Sequence, residues 1–242
     1  MVKKIAYYYN ILRTKIIELR WRKASENSTI NGICLVFHHV SDDYIDTPAS
    51  CQCTTASFVR IIEKIKEKGY SIVALEEYKS IVTHHSNKKF ALITFDDVPD
   101  DMYINAYPYL KENSIPFTVF ITTSFIDKKG YLSSQQLDIL NNDPLCTIGA
   151  HTISHPMLRF FKNKKKEIID GGDILERIIG KTVAVFAYPF GSLYSTDRSS
   201  IRLAKERYEL AFSTIDSALN DYTVHKTCFL PRRAVSDSNQ LI

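Results

Sequence analysis

The sequence predicts an α/β fold built on a parallel sheet, and three observations point there. Short apolar runs alternate along the chain with segments of helical periodicity, and no internal repeat interrupts them. Such alternation implies parallel strands joined by helices, in a sheet either open or closed into a barrel. The 242 residues are 45% apolar and 24% charged, enough for one sizeable core and too apolar for disorder. Finally, the polar residues able to do chemistry fall where the apolar runs stop. In parallel α/β folds that is the carboxyl end of the strands, where sites gather.

Element by element, residues 5–19 place Ile5, Tyr8, Tyr9, Leu12, Ile16 and Leu19 at helical spacing, with Trp21 beyond. Seven Lys or Arg and one acid give the first 23 residues a charge of +6, against +4 for the whole chain. The segment reads as a basic amphipathic helix. It either attaches to an anionic membrane surface or packs on the domain with its basic face in water. The polar stretch Lys23 to Thr29 reads as a linker, which divides the chain into residues 1–29 and a main domain of residues 30–242. That domain has no basic excess, which excludes nucleic acid as a partner. A buried strand is expected in "GICLVFHHV", then a helix from Ser57 as N-cap to Gly69 as stop, and a strand in "SIVAL". "FALITF" is a strand ending in Asp96-Asp97, "DMYINAYPYLKENS" a helix interrupted at Pro108, and "PFTVFIT" a strand. The helix "SSQQLDILNND" and the strand end "CTIGAHT" follow. Next come a helix broken near Gly171-Gly172, the strand "AVFAYPFG", the helix "DRSSIRLAKERY" and the strand "LAFST".

Five cysteines, an odd number with no C-x-x-C pair, argue against a disulfide framework and against a cysteine-built zinc site. No run of 18 apolar residues and no signal-peptide pattern is evident, so a cytoplasmic protein is expected, held at most peripherally at the membrane.

His151 and His155 stand four apart in "GAHTISHP". Alone, that spacing is weak evidence for a metal. Its value rises because His38, Asp96-Asp97, His151 and Tyr188-Pro189 all end strand-like runs. "TFDDVPDD" also mimics a D-D-x-x-D diphosphate motif, but it follows a strand, Pro99 interrupts it and no second copy exists. Magnesium-dependent phosphoryl transfer lacks its Gly-rich loop. One carboxylate and two imidazoles instead make an open three-ligand site for a divalent ion, and a second carboxylate beside it can take a proton from water. Adjacent aspartates on an extended strand point to opposite sides, so the chain has to turn for both to reach one pocket. Asp100 and Asp101, directly before the next helix, suit capping.

These stretches together resemble the polysaccharide deacetylases. "LVFHHVSDD", "ALITFDDVPDDMYINAYPYLKENSIPFTVFIT", "IGAHTISHPML" and "FAYPFGS" occur in that family's order, from about residue 33 to at least 192. The resemblance implies a distorted (β/α) barrel of about seven strands and removal of N-acetyl groups from carbohydrate. It implies Asp96 as general base and Asp97, His151 and His155 as metal ligands. His38 is implied as general acid, and Tyr188 as the residue whose backbone N–H helps hold the oxyanion. Zinc suits one oxygen and two nitrogens, and cobalt, nickel or iron bind such a set as well. Three departures stand out: Val98 replaces a glycine, Ala187 stands near the place of an arginine, and no C-terminal leucine-x-histidine occurs, His225 being a poor match. Arg232 is the candidate to supply the missing positive charge near Asp96. The alternatives are an inactive glycan-binding member and a different metal-dependent amidase or esterase on the same fold.

Overall fold

A computed structural model describes residues 2–24, 26 and 28–237, with side chains from residue 7 onward. The side chain of Ile5, Ser25 and Asn27 of the expected linker, and residues 238–242 of the main domain lie outside the described residues. Helix α1 (Val2–Lys23) precedes a curled parallel sheet. Its strands run in the order β10 (Arg233–Ala234), β1 (Asn31–Phe37), β5 (Lys89–Asp96), β6 (Phe117–Ile121), β7 (Cys146–Ala150), β8 (Val185–Ala187) and β9 (Leu210–Phe212), with β4 (Ser71–Ile72) also on β5. Two short strands, β2 (His39–Val40) and β3 (Gln52–Cys53), pair apart from it. The helices are α2 (Thr55–Glu67), α3 (Leu75–Thr83), α4 (Tyr107–Glu112), α5 (Ser134–Asn142), α6 (Gly171–Ile179) and α7 (Arg198–Arg207). Between β9 and β10 the irregular segment 213–232 spans the gap. It bonds Ser213 N–H to the Leu230 carbonyl and Leu219 N–H to that of Gly32. The result is the distorted barrel the motifs imply.

Strand periodicity sorts the core. Ile33, Leu35, Phe37, Ala91, Ile93 and Phe95 face the helices, while Cys34, Phe90, Leu92, Phe120, Val185 and Phe212 fill the barrel interior. Along β5 this alternation continues to Asp96, which therefore points inward at the strand's carboxyl end. Gly149 lies on the interior face of β7, where a Cβ would stand 2.5 Å from the Phe120 ring.

Several local expectations change. The N-cap of α2 is Thr54, whose hydroxyl accepts from Ser57 N–H at 3.2 Å; Ser57 is inside the helix. "SIVAL" contributes only a two-residue strand, and its Leu75 opens α3, a helix the periodicity did not show. No break occurs at Gly171-Gly172, because a π-helical turn (Lys166–Asp170) runs into α6. Gly172 is there for space, since a Cβ would collide with the Tyr208 hydroxyl. Pro108 likewise sits near the N-terminus of α4, after a π-helical turn (Met102–Ala106), where its missing N–H costs little.

Candidate active site

The carboxyl ends of β1, β5 and β7 carry the residues singled out by the motifs. Asp96 is the last residue of β5. The chain then turns sharply: Asp97 and Val98 have φ of 59° and 48°, and Val98 N–H reaches back to the Asp96 carbonyl at 2.6 Å. This turn brings both carboxylates to one side. A β-branched residue rarely adopts positive φ, so Val98, buried in the core below, holds a strained conformation where a glycine would be relaxed.

His151 follows β7, and His155 arrives through an irregular loop rather than on a helix face. Thr152 and His155 have φ of 70° and 55°. The loop is clamped by Glu167, a buried acid that the sequence reading missed. Its carboxylate accepts from the Ile153 and Ser154 N–H groups at 2.9 Å and from the Ser154 hydroxyl at 2.8 Å. Nothing in the local pattern "KKEIID" distinguishes Glu167 from a solvated helix acid, and only the approach of the two segments does.

The donor set fits a divalent ion. One ligand atom each from Asp97, His151 and His155 lie within 4.8 Å of one another. Asp97 Oδ1 stands 3.7 Å from His151 Nε2 and 3.3 Å from His155 Nε2, is buried and has no hydrogen-bond partner. An unpartnered buried carboxylate oxygen is costly unless a cation meets it. His151 Nδ1 donates to the Ala187 carbonyl at 2.8 Å, which leaves Nε2 as the bare nitrogen facing the site. Burial pushes both imidazoles down to about 4, against the neighbouring carboxylates, so both are neutral at pH 7 as metal ligands must be.

Asp96 is held differently. Arg232, fully buried, pairs with it in a bidentate fork: Nη1 to Oδ1 at 2.7 Å and Nη2 to Oδ2 at 2.6 Å. The guanidinium also donates to the Ser213 carbonyl and the Thr94 hydroxyl, and it lies against the Phe120 and Phe212 rings. Burial raises the Asp96 carboxyl, but Arg232 and the nearby His151 outweigh it and hold the group at about 2. Asp96 is therefore a carboxylate at any physiological pH.

A cleft of about 450 Å³ opens onto this cluster, lined by His38, Asp96, Asp97, His155, Tyr131 and Phe190 among others. Side-chain exposure rises from 1% at His151 to 17% at His155 and 24% at Asp97, which sets the direction of access. A larger surface cleft of about 620 Å³, against Tyr107, Lys111 and Asp143, holds none of the candidate catalytic or metal-binding residues. His38 Nδ1 is buried without a partner, and burial pushes the imidazole below its ordinary value, against Asp96 and Asp97. His39 also lines the cleft and is bonded through Nδ1 to Asp101 at 2.6 Å. Asp101 also accepts from Val40 N–H, so it ties β2 to the π-helical turn before α4 rather than capping the helix through its side chain. His84, His85 and His225 are exposed at other sites.

Tyr188 is placed otherwise than expected. Its N–H donates to the Phe212 carbonyl at 3.0 Å as part of the sheet, and its side chain packs in the outer core with the hydroxyl on the Cys228 carbonyl. Neither is available to a substrate. Pro189 has no N–H, and the next one along the chain belongs to Phe190, which lines the cleft with φ of 60°.

A curled parallel sheet carrying an open carboxylate–imidazole–imidazole set, beside a second and ionised carboxylate, is the make-up of a metal-dependent hydrolase. The chain belongs to the polysaccharide deacetylase family, hydrolases of N-acetyl amide bonds on carbohydrates; the polysaccharide deacetylase model matches residues 83–211. The Bacillus subtilis protein YxkH, named for the same family, is 23% identical over 206 residues, 81% of this chain and 71% of its own. A poly-β-1,6-N-acetyl-D-glucosamine N-deacetylase of Staphylococcus aureus is 28% identical over 171 residues, covering 62% of this chain and only 56% of the relative. Among solved structures, IcaB from Ammonifex degensii superimposes with a TM-score of 0.75 at 20% identity, over 87% of this chain and 94% of that one, which establishes the shared fold.

Proposed function

We propose that the chain removes N-acetyl groups from an amino sugar in a polysaccharide or lipid-linked glycan. The observation that carries this reading is the meeting of an unpartnered Asp97 oxygen with two neutral imidazoles in one cleft, beside a carboxylate kept ionised by a buried arginine. A divalent ion held by Asp97, His151 and His155, with zinc the best match to the donors, would lend Lewis acidity to the amide carbonyl and acidify the attacking water. Asp96 takes the water's proton at a carboxylate oxygen, since each oxygen keeps a lone pair beyond the one bonded to Arg232. Arg232 fixes the direction of that lone pair. His38 hands a proton to the nitrogen of the departing amine. Because burial keeps it neutral at rest, it carries a proton only after one has been released within the site. The Phe190 N–H, in place of that of Tyr188, is the backbone donor offered to the developing oxyanion.

The staphylococcal relative's name makes a β-linked N-acetylglucosamine polymer the first substrate to test. Acetate release from such oligomers, measured beside elemental analysis, tests the reading. One divalent ion per chain is expected, with release lost on chelation and restored by added metal. Replacing His151 and His155 together with alanine removes both. Metal bound at unchanged stoichiometry in that variant would refute the ligand set. Metal without acetate release from any N-acetylated sugar would assign the chain to glycan binding or to another amidase or esterase chemistry. His38→Ala should slow release of an amine far more than release of a phenol from an aryl acetate, since a phenolate leaves without a proton; equal losses would remove His38 from the acid role.

A further inference from the structure

Helix α1 docks on the barrel by an unusual face. Asn10, Thr14, Ile17, Glu18 and Trp21 turn toward the body, and Asn10, Glu18 and Trp21 are buried. The helix is pinned at both ends. Near its start the Tyr7 ring meets Tyr194 edge-on at 5.2 Å; near its end the Trp21 carbonyl accepts from Asn220 Nδ2 at 3.1 Å and Arg22 pairs with Asp216. Its roll is therefore set. Tyr8, Tyr9, Leu12, Ile16 and Leu19 span about 100° of arc on the opposite side, at 3.6 residues per turn. All five are exposed, Tyr8, Tyr9, Leu12 and Leu19 by 60% or more. Arg13 and Arg20 border one edge of this stripe, and Lys15 and Arg22 the other. The apolar stripe that periodicity would assign to the core thus points away from it, between two basic margins.

We propose that this face of α1 is a docking surface for an anionic lipid bilayer, with the helix lying in the plane of the interface. Charge complementarity selects the occupant. An apolar stripe flanked by Lys and Arg, with interfacial aromatic residues at one end, matches acyl chains below and anionic headgroups on either side. No helix among the described residues is long and apolar enough to cross a membrane, so α1 lies on the surface and does not span it. The fixed roll means that the stripe is presented by the folded protein and needs no rearrangement to bind.

The test uses the full chain and reads binding alone, so it stands apart from any result on deacetylation. The protein is sedimented with phosphatidylcholine–phosphatidylglycerol vesicles and with pure phosphatidylcholine vesicles, at low salt and at about 1 M salt, where charges more than about 3 Å apart are screened. Binding to the anionic vesicles that falls with salt is expected. The double variant Leu12→Asp, Leu19→Asp should abolish it. Arg13→Glu with Arg20→Glu should weaken it on the order of tenfold or more. The Leu12→Asp, Leu19→Asp variant should keep the wild-type melting temperature, because both side chains are exposed on the face of α1 turned away from the body. Failure of the wild type to bind anionic vesicles at low salt overturns the proposal. So does equal binding to both vesicle types, or binding left intact by the double Leu variant. Self-association of the wild type without vesicle binding, lost in that variant, would assign the stripe to a second copy of the chain and overturn it equally.

Discussion

The turn after β5 and the loop after β7 bring the candidate ligands to one point by opposite means. In the first, the aiming is local. Asp96 obeys the strand alternation, Asp97 leaves it through a left-handed turn, and the turn is closed by a bond from Val98 N–H to the Asp96 carbonyl. In the second, the aiming is remote. The backbone between His151 and His155 has no regular structure, and its N–H groups are collected by Glu167, which comes from the π-helical turn before α6. A site can thus draw its geometry from strain within two residues or from a carboxylate twelve residues beyond the last ligand. A strained turn announces itself in adjacent residues; a clamp does not.

The largest expected effect separates chemistry from geometry in the first turn. Asp96→Asn keeps the shape of the turn and the three proposed ligands but removes the proposed base. Turnover should fall by roughly 10²–10⁴-fold while metal content stays at the wild-type level. A variant that retains near wild-type turnover would transfer the role of base to another group.

Next comes the support behind that turn. Arg232→Met leaves Asp96 charged and buried without its partner, a change that costs about 3–5 kcal/mol. Chemical denaturation should show a loss of that order, and the double variant Arg232→Met with Asp96→Asn should recover much of it. If the double variant is no more stable than the single one, the pairing is not what Arg232 provides.

Smaller again is the effect on the second loop. Glu167→Gln keeps the side-chain shape and one acceptor oxygen but gives up the carboxylate that collects three hydrogen bonds. Metal affinity should drop by about 10–100-fold, as is usual for groups that orient ligands from behind. The catalytic constant measured at saturating metal should change little. An unchanged metal affinity would show that the histidine loop holds its shape without the clamp.

The smallest effect sharpens the comparison most. Val98→Gly relieves about 1–3 kcal/mol of backbone strain but gives up a buried side chain of similar worth. A net stability change within about 1 kcal/mol, with metal binding kept, is expected from a melting curve. A large loss of metal affinity would mean that Val98 is what forces Asp97 into the cleft.

Much of the fold and most of the site were legible in the residues. Alternating apolar runs marked β1, β5, β6, β7, β8 and β9, because a strand covered on both faces has to be apolar along its length. Asp96-Asp97 and the two histidines stood at the ends of such runs, and strand ends are where a parallel sheet leaves polar groups free to meet. Helix α3 was missed because its apolar residues begin inside what reads as a strand. The supposed break at Gly171-Gly172 was misread because a glycine needed for close packing looks the same in sequence as one that ends a helix.

What the sequence determined by itself, then, was a set of elements and the chemical types at their ends, since both follow from local periodicity and from which side chains can bind a cation or carry a proton. Tertiary structure alone decided which of these groups meet. It placed Arg232, 136 residues from Asp96, in the barrel interior, where the low-dielectric surroundings make the pair strong. It brought Glu167 beneath the histidine loop. It committed the Tyr188 N–H to the Phe212 carbonyl and set Phe190 in the lining of the cleft. And it turned the polar side of α1 inward and the apolar side out, a choice that helical periodicity alone would reverse. The physical reason is common to all four. Hydrogen bonds and buried charges are satisfied by whatever group the fold brings within about 3 Å, and that distance is set by the packing of distant segments rather than by their order in the chain.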